Sequence, residues 1–462
     1  MILTLLLSLA TPPAVEQALA QAGPGTRIGL VVVDADGREI VAVRPDDRFV
    51  PASNTKLYTT ALAFAMLPTQ GPDDAGASVR LEGRDVVLTG RGDARLSGAP
   101  DCRVDCLREL ADAVAARTRV VGDVVGDDSR FPDERWPAGM SWNNQVGRYG
   151  TGISALTIDD NEVVLTVTPG APGAAPTIAD DGYYRIENRA VTIAGGKETL
   201  AATRVPGSDV LRIGGTIPVG AAETMRVGVD DPAHRAAWLM ASLLRARGVK
   251  VTGRVAVRHR PLSPADDPAG RGNVPVARVP EPQALARLTP PPLAEDLLLT
   301  NKVSQNLHAE LLLRRAAMVR GSGSVADGHA ALDALLAQAG VPRWQYDFSD
   351  GSGMSTYNRV TPRATVGLLR WAATQPWGGA WRATLPVGGI DGTLARRFKG
   401  TALNGKLFAK TGTLNASNAL GGYLIAASGR TLTFAAYAND MPQDASATKA
   451  IDAALLAVAA AN

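Results

Sequence analysis

The alternation of apolar and polar positions changes texture along the chain. From Arg27 to Val43 two apolar runs flank Asp36-Gly37, which predicts a β-hairpin with a tight turn. Pro51-Ala52-Ser53 then leads into the apolar run Thr59–Leu67, which predicts a helix. A similar texture returns near the C-terminus. Leu420 to Ala427 and Thr431 to Ala438 read as strands around Ser428-Gly429-Arg430, and Ala445 to Ala460 reads as a closing helix. The two ends therefore predict one mixed domain of sheet and helix.

The middle of the chain differs. Leu107 to Arg117 predicts a helix followed by a strand over Val120–Val125. His234 to Arg247 predicts another, followed by a strand over Val249–Val255. Helix, Arg, then a V-x-G-x-V-like strand thus occurs twice, a weak echo too short for a repeat architecture. Between the copies, residues 162–225 alternate short strand-like runs with Gly and Pro. Arg260 to Pro292 is dense in proline, which marks a crossing back towards the first domain.

Length and charge narrow this picture. The 462 residues suit about three domains at roughly 150 residues each. The net charge of +3 and the lack of a basic stripe argue against a nucleic-acid partner. Four scattered His and two Cys assemble no usual zinc spacing, so no metal site built on His or Cys is expected, which leaves only a carboxylate site open. Only eight of the basic residues are Lys, so a Lys inside a motif carries weight. The first ten residues are mostly apolar and too few to span a bilayer, so no stable transmembrane anchor is expected. They fit the apolar core of a signal peptide, assigned here to residues 1–20, although no Lys or Arg precedes the run. A buried first strand is the alternative. Cys102 and Cys106 are either a local disulfide or two free thiols at a helix start.

Ser53-Asn54-Thr55-Lys56 stands directly before the first apolar helical run. Positions three apart share a helix face, so hydroxyl and amine can meet. A Ser hydroxyl needs a neighbouring base, and a desolvated Lys can be that base. A lone S-x-x-K is weak, because Ser446 to Lys449 matches too. Ser304-Gln305-Asn306 and Ser141-Trp142-Asn143 both match S-x-N. Lys410-Thr411-Gly412 occurs once, and order discriminates: Ser53, Ser304 and Lys410 follow one another on an expected helix, helix and strand. S-x-x-K, S-D-N and K-T-G together mark penicillin-binding proteins and class A β-lactamases.

Longer strings sharpen the match. Asn301-Lys302-Val303-Ser304-Gln305-Asn306-Leu307, Asp350-Gly351-Ser352-Gly353-Met354-Ser355, Gly389-Ile390-Asp391-Gly392-Thr393-Leu394 and Lys410-Thr411-Gly412-Thr413-Leu414 resemble strings of one family. The chain is similar to the class C low-molecular-mass penicillin-binding proteins. These are D-alanyl-D-alanine carboxypeptidases and endopeptidases of peptidase family S13. The resemblance implies an α+β fold, a catalytic domain like that of serine β-lactamases, with an antiparallel sheet flanked by helices and a large nested insertion. It assigns 21–69 and 284–462 to the catalytic domain, 70–161 and 226–283 to an inserted α/β domain, and 162–225 to a strand-rich subdomain within it.

The resemblance also implies roles. Ser53 is the nucleophile and Lys56 its base. Ser304 and Lys410 pass the proton to the leaving group. Asn306, Thr411, Gly412 and Thr413 bind substrate, with the oxyanion between the backbone N–H groups of Ser53 and Thr413. The implied partners are peptidoglycan stem peptides ending in D-Ala-D-Ala and β-lactam antibiotics as covalent inhibitors. The implied place is periplasmic or otherwise extracytoplasmic, and no cofactor is implied. A β-lactamase or broader D-amino-acid peptidase is the enzyme alternative, and a non-catalytic wall-binding or sensor module the other.

Bland readings stand beside these. Ser53 alone could cap its helix. Ser304 and Asn306 could be polar helix-surface positions, and Lys410-Thr411-Gly412 an exposed strand end. His308 is expected to be a packed or surface residue, and Asp350 to Ser355 a structured turn near the site. The second motif departs from the family pattern at Gln305. Asn144 is neutral where some relatives place an acid that reads a stem-peptide amine, with Asp159 or Asp160 as conceivable substitutes.

Overall fold

The computed structural model describes residues 11–462 except 273, 279 and 443. The apolar leader residues 1–10 lie outside the described residues. The two ends of the chain build one antiparallel five-stranded sheet. Its strands are β1 (Arg27–Val33), β2 (Glu39–Val43), β3 (Leu407–Leu414), β4 (Ser417–Ile425) and β5 (Thr431–Asn439). Their spatial order is β2-β1-β5-β4-β3, which leaves β3 at an edge. The hairpin expected around Asp36-Gly37 is present, with Gly37 at φ +88°.

Successive side chains alternate between two cores, as the pleat requires. Val31, Val33, Ala435 and Tyr437 face the helices α2 (Thr55–Met66), α3 (Leu293–Lys302), α4 (Asn306–Arg320), α5 (Val325–Gln338), α6 (Pro362–Ala373) and α7 (Gly378–Ala383). Leu30, Val32, Phe434 and Ala436 face the opposite layer. That layer holds α1 (Pro13–Ala20) and the closing α8 (Thr448–Ala461).

Helix α1 alters one expectation. Val15, Ala18 and Leu19 are buried against this second core, so residues 13–20, read from sequence within a leader, are helical and packed in this structure. An apolar run before Pro12 and an amphipathic helix after it look alike in composition.

Residues between α2 and α3 form separate layers. A mixed five-stranded sheet has the order Val255–Arg260, Val124–Pro132, Asp85–Thr89, Ser78–Glu82, Ala286–Arg287. Helices Leu107–Arg117 and Pro232–Ala246 share its core through Leu110, Val114, Ala236 and Met240. The sequence echo is spatial as well. Val120 pairs in parallel with Lys250, and Val124 with Val255. Each echo strand, expected to be continuous, breaks after two residues at Gly122 and Gly253. A Cβ on Gly253 would stand 2.1 Å from the Asp123 side chain, so the break needs glycine. Residues 162–228 carry only strands among the described residues, closed by Glu162–Thr168 pairing with Glu223–Gly228. Cys102 and Cys106 form a disulfide, with Cys106 at the N-cap of Leu107–Arg117 rather than inside the helix. No helix among the described residues is long and apolar enough to cross a membrane.

The packing of α1 sets an expected outcome. A chain lacking residues 1–20 should melt several degrees below one lacking residues 1–11. Equal melting temperatures by calorimetry would show that α1 contributes nothing to the second core.

Candidate active site

A short 3₁₀ turn, Ala52–Asn54, runs directly into α2. Ser53 lies in this turn and makes no helix-capping bond, so the capping reading fails. Lys56 is fully buried in the first turn of α2. Its Nζ donates to Ser53 Oγ at 3.1 Å, Asn306 Oδ1 at 2.6 Å and the Ser352 carbonyl at 2.6 Å. Burial lowers its pKa from 10.5 to about 7, against the opposing pull of Asp350 and Glu310. An amine with that pKa is substantially neutral near pH 7.

Ser304 was expected on a helix. It sits instead in the junction between α3 and α4, with φ +65°. That left-handed conformation is uncommon for a residue with a Cβ. It turns the chain so that Ser304 Oγ accepts from Lys410 Nζ at 2.9 Å. Gln305 caps α4 by accepting the Leu307 N–H at 3.2 Å, a capping role for the motif's departing residue. Asn306 opens α4 and is buried. Besides accepting from Lys56, it donates through Nδ2 to the Tyr149 carbonyl at 2.9 Å. The inserted segment thus touches the site through its backbone.

Lys410 lies on β3, fully buried. Its pKa falls well below 10.5 through burial first and the neighbouring Lys56 charge second. The side chain of Asn54 donates to the Lys410 carbonyl at 2.7 Å, tying the Ser53 turn to the strand. A Cβ on Gly412 would meet the Pro51 carbonyl at 2.6 Å and Asn54 N at 3.2 Å. Glycine here admits the Ser53 turn itself, in addition to any substrate. The Ala409 N–H points off the sheet edge to the Pro386 carbonyl. Alternation in an antiparallel ladder then points the Thr411 and Thr413 N–H groups the same way. Thr411 Oγ1 donates to Thr393 Oγ1 at 2.8 Å, which explains the Gly392-Thr393 string.

The Asp350–Ser355 turn is closer to the chemistry than expected. Asp350 accepts the Gly353 and Ser355 N–H groups and the Asn358 amide, folding the turn on itself. Gly353 has φ +90°, and a Cβ there would lie 1.9 Å from the Ala52 carbonyl. The turn is therefore pressed onto the Ser53 turn. Glu310, one helical turn after Asn306 on α4, accepts the Gly351 and Ser352 N–H groups at 3.0 and 2.9 Å. Burial, reinforced by the Asp350 charge, raises its pKa to about 7. Sequence reading missed Glu310 and Tyr149. The signal for Glu310 was an acid inside the apolar run Leu307–Leu313, four residues after Asn306. Tyr149 acts through a backbone carbonyl, which leaves no mark on residue type.

His308 is packed, with no exposed side chain. Its Nδ1 bonds Asp296 and its Nε2 bonds Asp160 at 2.8 Å, joining α3, α4 and the inserted segment. Asp160 is thus a structural partner, and Asp159 accepts from Ser97 and the Gly98 N–H. Both carboxylates therefore already have partners within the protein. Lys302 is likewise engaged, by Asp391 at 2.6 Å and the Leu385 carbonyl at 2.7 Å.

The chain belongs to the D-Ala-D-Ala carboxypeptidase 3 (S13) family, whose profile matches residues 12–462. It is 35% identical over 441 residues to a D-alanyl-D-alanine carboxypeptidase of Actinomadura sp. (strain R39), covering 89% of this chain and 76% of that one. It is 23% identical over 432 residues to the D-alanyl-D-alanine carboxypeptidase DacB of Haemophilus influenzae, covering 90% and 86%. The crystal structure of penicillin binding protein 4 (dacB) from that organism shares the fold. Its TM-score is 0.79 at 20% identity, over 95% of this chain and 97% of that chain. The fold class is α+β, as the sequence predicted.

The buried histidine makes a pH prediction. Burial alone would lower its pKa, but the Asp296 charge and the bonds to Asp160 and Asp296 outweigh burial and raise it to about 10. A raised folded-state pKa gives stability that is full below about 6.5 and lost as pH rises towards 10. His308→Asn should flatten the fall in melting temperature over that window, relative to wild type. An unchanged slope would show that His308 is neutral in the folded protein.

Proposed function

We propose that this protein is a serine-type D-Ala-D-Ala carboxypeptidase, with endopeptidase activity on cross-links as a variant of the same reaction. The observation that carries the reading is the Ser53–Lys56 pair. A hydroxyl lies 3.1 Å from a buried amine whose pKa is about 7, beside a second pair in which buried Lys410 meets half-buried Ser304. Membership of the S13 family supports the same reading.

Neutral Lys56 takes the Ser53 hydroxyl proton as Oγ attacks the carbonyl between the two D-alanines. The oxyanion lies between the backbone N–H groups of Ser53 and Thr413, the second of which points off the sheet edge. The C–N bond breaks as a proton passes through Lys410 and Ser304 to the leaving D-alanine nitrogen. Thr411 and Thr413, with Lys410, hold its carboxylate, and Asn306 holds the substrate's peptide amide. Water then attacks the acyl ester and gives its proton to Lys56, which passes a proton to Ser53 Oγ as the acyl C–Oγ bond breaks. A β-lactam acylates the same oxygen, but its ring-opened leaving group stays attached and slows the water step. The substrate places the enzyme outside the cytoplasm, on the wall side of the membrane. The nested layout, with 70–161 and 226–283 inserted and 162–225 within them, is supported by the separate apolar clusters in each part.

Intact mass after penicillin treatment, with peptide mapping, tests the nucleophile. One adduct is expected on Ser53 and none in Ser53→Ala. Labelling that persists in the variant would overturn the assignment, and rapid loss of the adduct with continuing penicillin turnover would favour a β-lactamase.

Glu310→Gln keeps the acceptor for Gly351 and Ser352 but removes a negative charge that favours protonated Lys56. The acid limb of the acylation rate should therefore move to lower pH. A limb that stays in place would show that Glu310 does not act on Lys56.

A further inference from the structure

We propose that the helix side of the sheet carries a second binding site, for a small oxyanion of the carboxylate or phosphate type, built around Arg382 and Arg370. The site is a cavity of about 360 Å³ between β4, β5, α6 and α7. It is lined by Arg370, Arg382, Tyr423, Thr431, Thr433 and Asp34, among others. It shares no residue with the Ser53 machinery.

Its construction follows from strand register. Phe408, Tyr423 and Thr433 form one cross-strand row, since Phe408 pairs with Tyr423 and Tyr423 with Thr433. Arg382, from α7, lies over this row. Its guanidinium carbon is 4.5 Å from the Phe408 ring centroid and 5.1 Å from that of Tyr423. Stacking holds the planar group in place but leaves its N–H edge without an acceptor. Among the described residues Arg382 makes no ion pair and donates no hydrogen bond. Arg382 is half-buried, whereas most other arginines without a side-chain partner are exposed. Burial lowers its pKa, and no carboxylate is near enough to offset that.

The rest of the lining suits an anion. Arg370 uses Nη1 on the Asp34 carbonyl at 2.9 Å, which fixes the side chain. Thr431 and Thr433 are two apart on β5 and share a face. Neither hydroxyl bonds a described residue, so both are available as donors. The one acid on the wall, Asp34, already accepts the Arg38 N–H at 2.9 Å. Two fixed guanidinium groups and two hydroxyls around one space are the donor set that a carboxylate or phosphate takes.

Inorganic phosphate and succinate serve as probes, each titrated into the full chain at constant ionic strength with sodium chloride as the reference. Binding is read by calorimetry and by the melting temperature. A saturable signal with either probe is expected in wild type, and the probe that binds more tightly identifies the type of anion. Arg382→Gln should weaken binding about tenfold or more, the loss of a charge-assisted pair. Arg382→Lys should recover part of that loss. Cooperative unfolding in each variant shows that the fold is intact. No saturable signal with either probe, or one unchanged in both Arg382→Gln and Arg370→Gln, would overturn the proposal.

Discussion

Two lysine amines are held out of water within one site, and the remainder of the site answers to that constraint. Moving Lys56 from 10.5 to about 7 corresponds to roughly 5 kcal/mol of lost preference for the charged form. Each lysine worsens the position of the other, since protonating one raises the cost of protonating its neighbour. The surroundings offset this with oxygen acceptors. Lys56 has a serine oxygen, an amide oxygen and a backbone carbonyl, while Lys410 has Ser304 and the Thr411 carbonyl at 3.0 Å. A buried amine with satisfied protons remains a base of useful strength. An unsatisfied one would have forced the packing apart.

Those acceptors come from four separate stretches of chain, and each needs an unusual backbone. Ala52 and Ser304 take positive φ without being glycine. Gly353 and Gly412 let two turns and a strand close on one another at distances no Cβ permits. Strain of this kind persists only where surrounding contacts over-determine it. Here Asn54, Asp350 and Glu310 do so, each fixing a backbone segment rather than a side chain. The His308 cluster holds the second motif's helix from behind.

The sequence showed this site unevenly, for physical reasons. Ser53, Lys56 and Lys410 were legible because a three-residue helical spacing and a three-residue strand motif are local. The strands of both chain ends were legible from periodicity, and the α+β class came from the family resemblance of the motifs. The left-handed Ser304 was not, because nothing in its residue type requires that conformation. Tyr149 was invisible because every residue carries a carbonyl. Helix α1 was not legible, because an apolar stretch of its length serves equally in a leader or a core. The echo of V-x-G-x-V was legible as pattern, but the glycines marked breaks instead of strand centres.

The layer formed by α1 and α8 also has a bearing on how the protein can be held. Both helices pack on the sheet face opposite Lys56, and they share one apolar cluster. The first described residues and the last therefore leave the molecule from its back. A support joined to the closing helix α8 pulls from behind the sheet. Ser53 and Lys56 then lie on the far side of the sheet from that support.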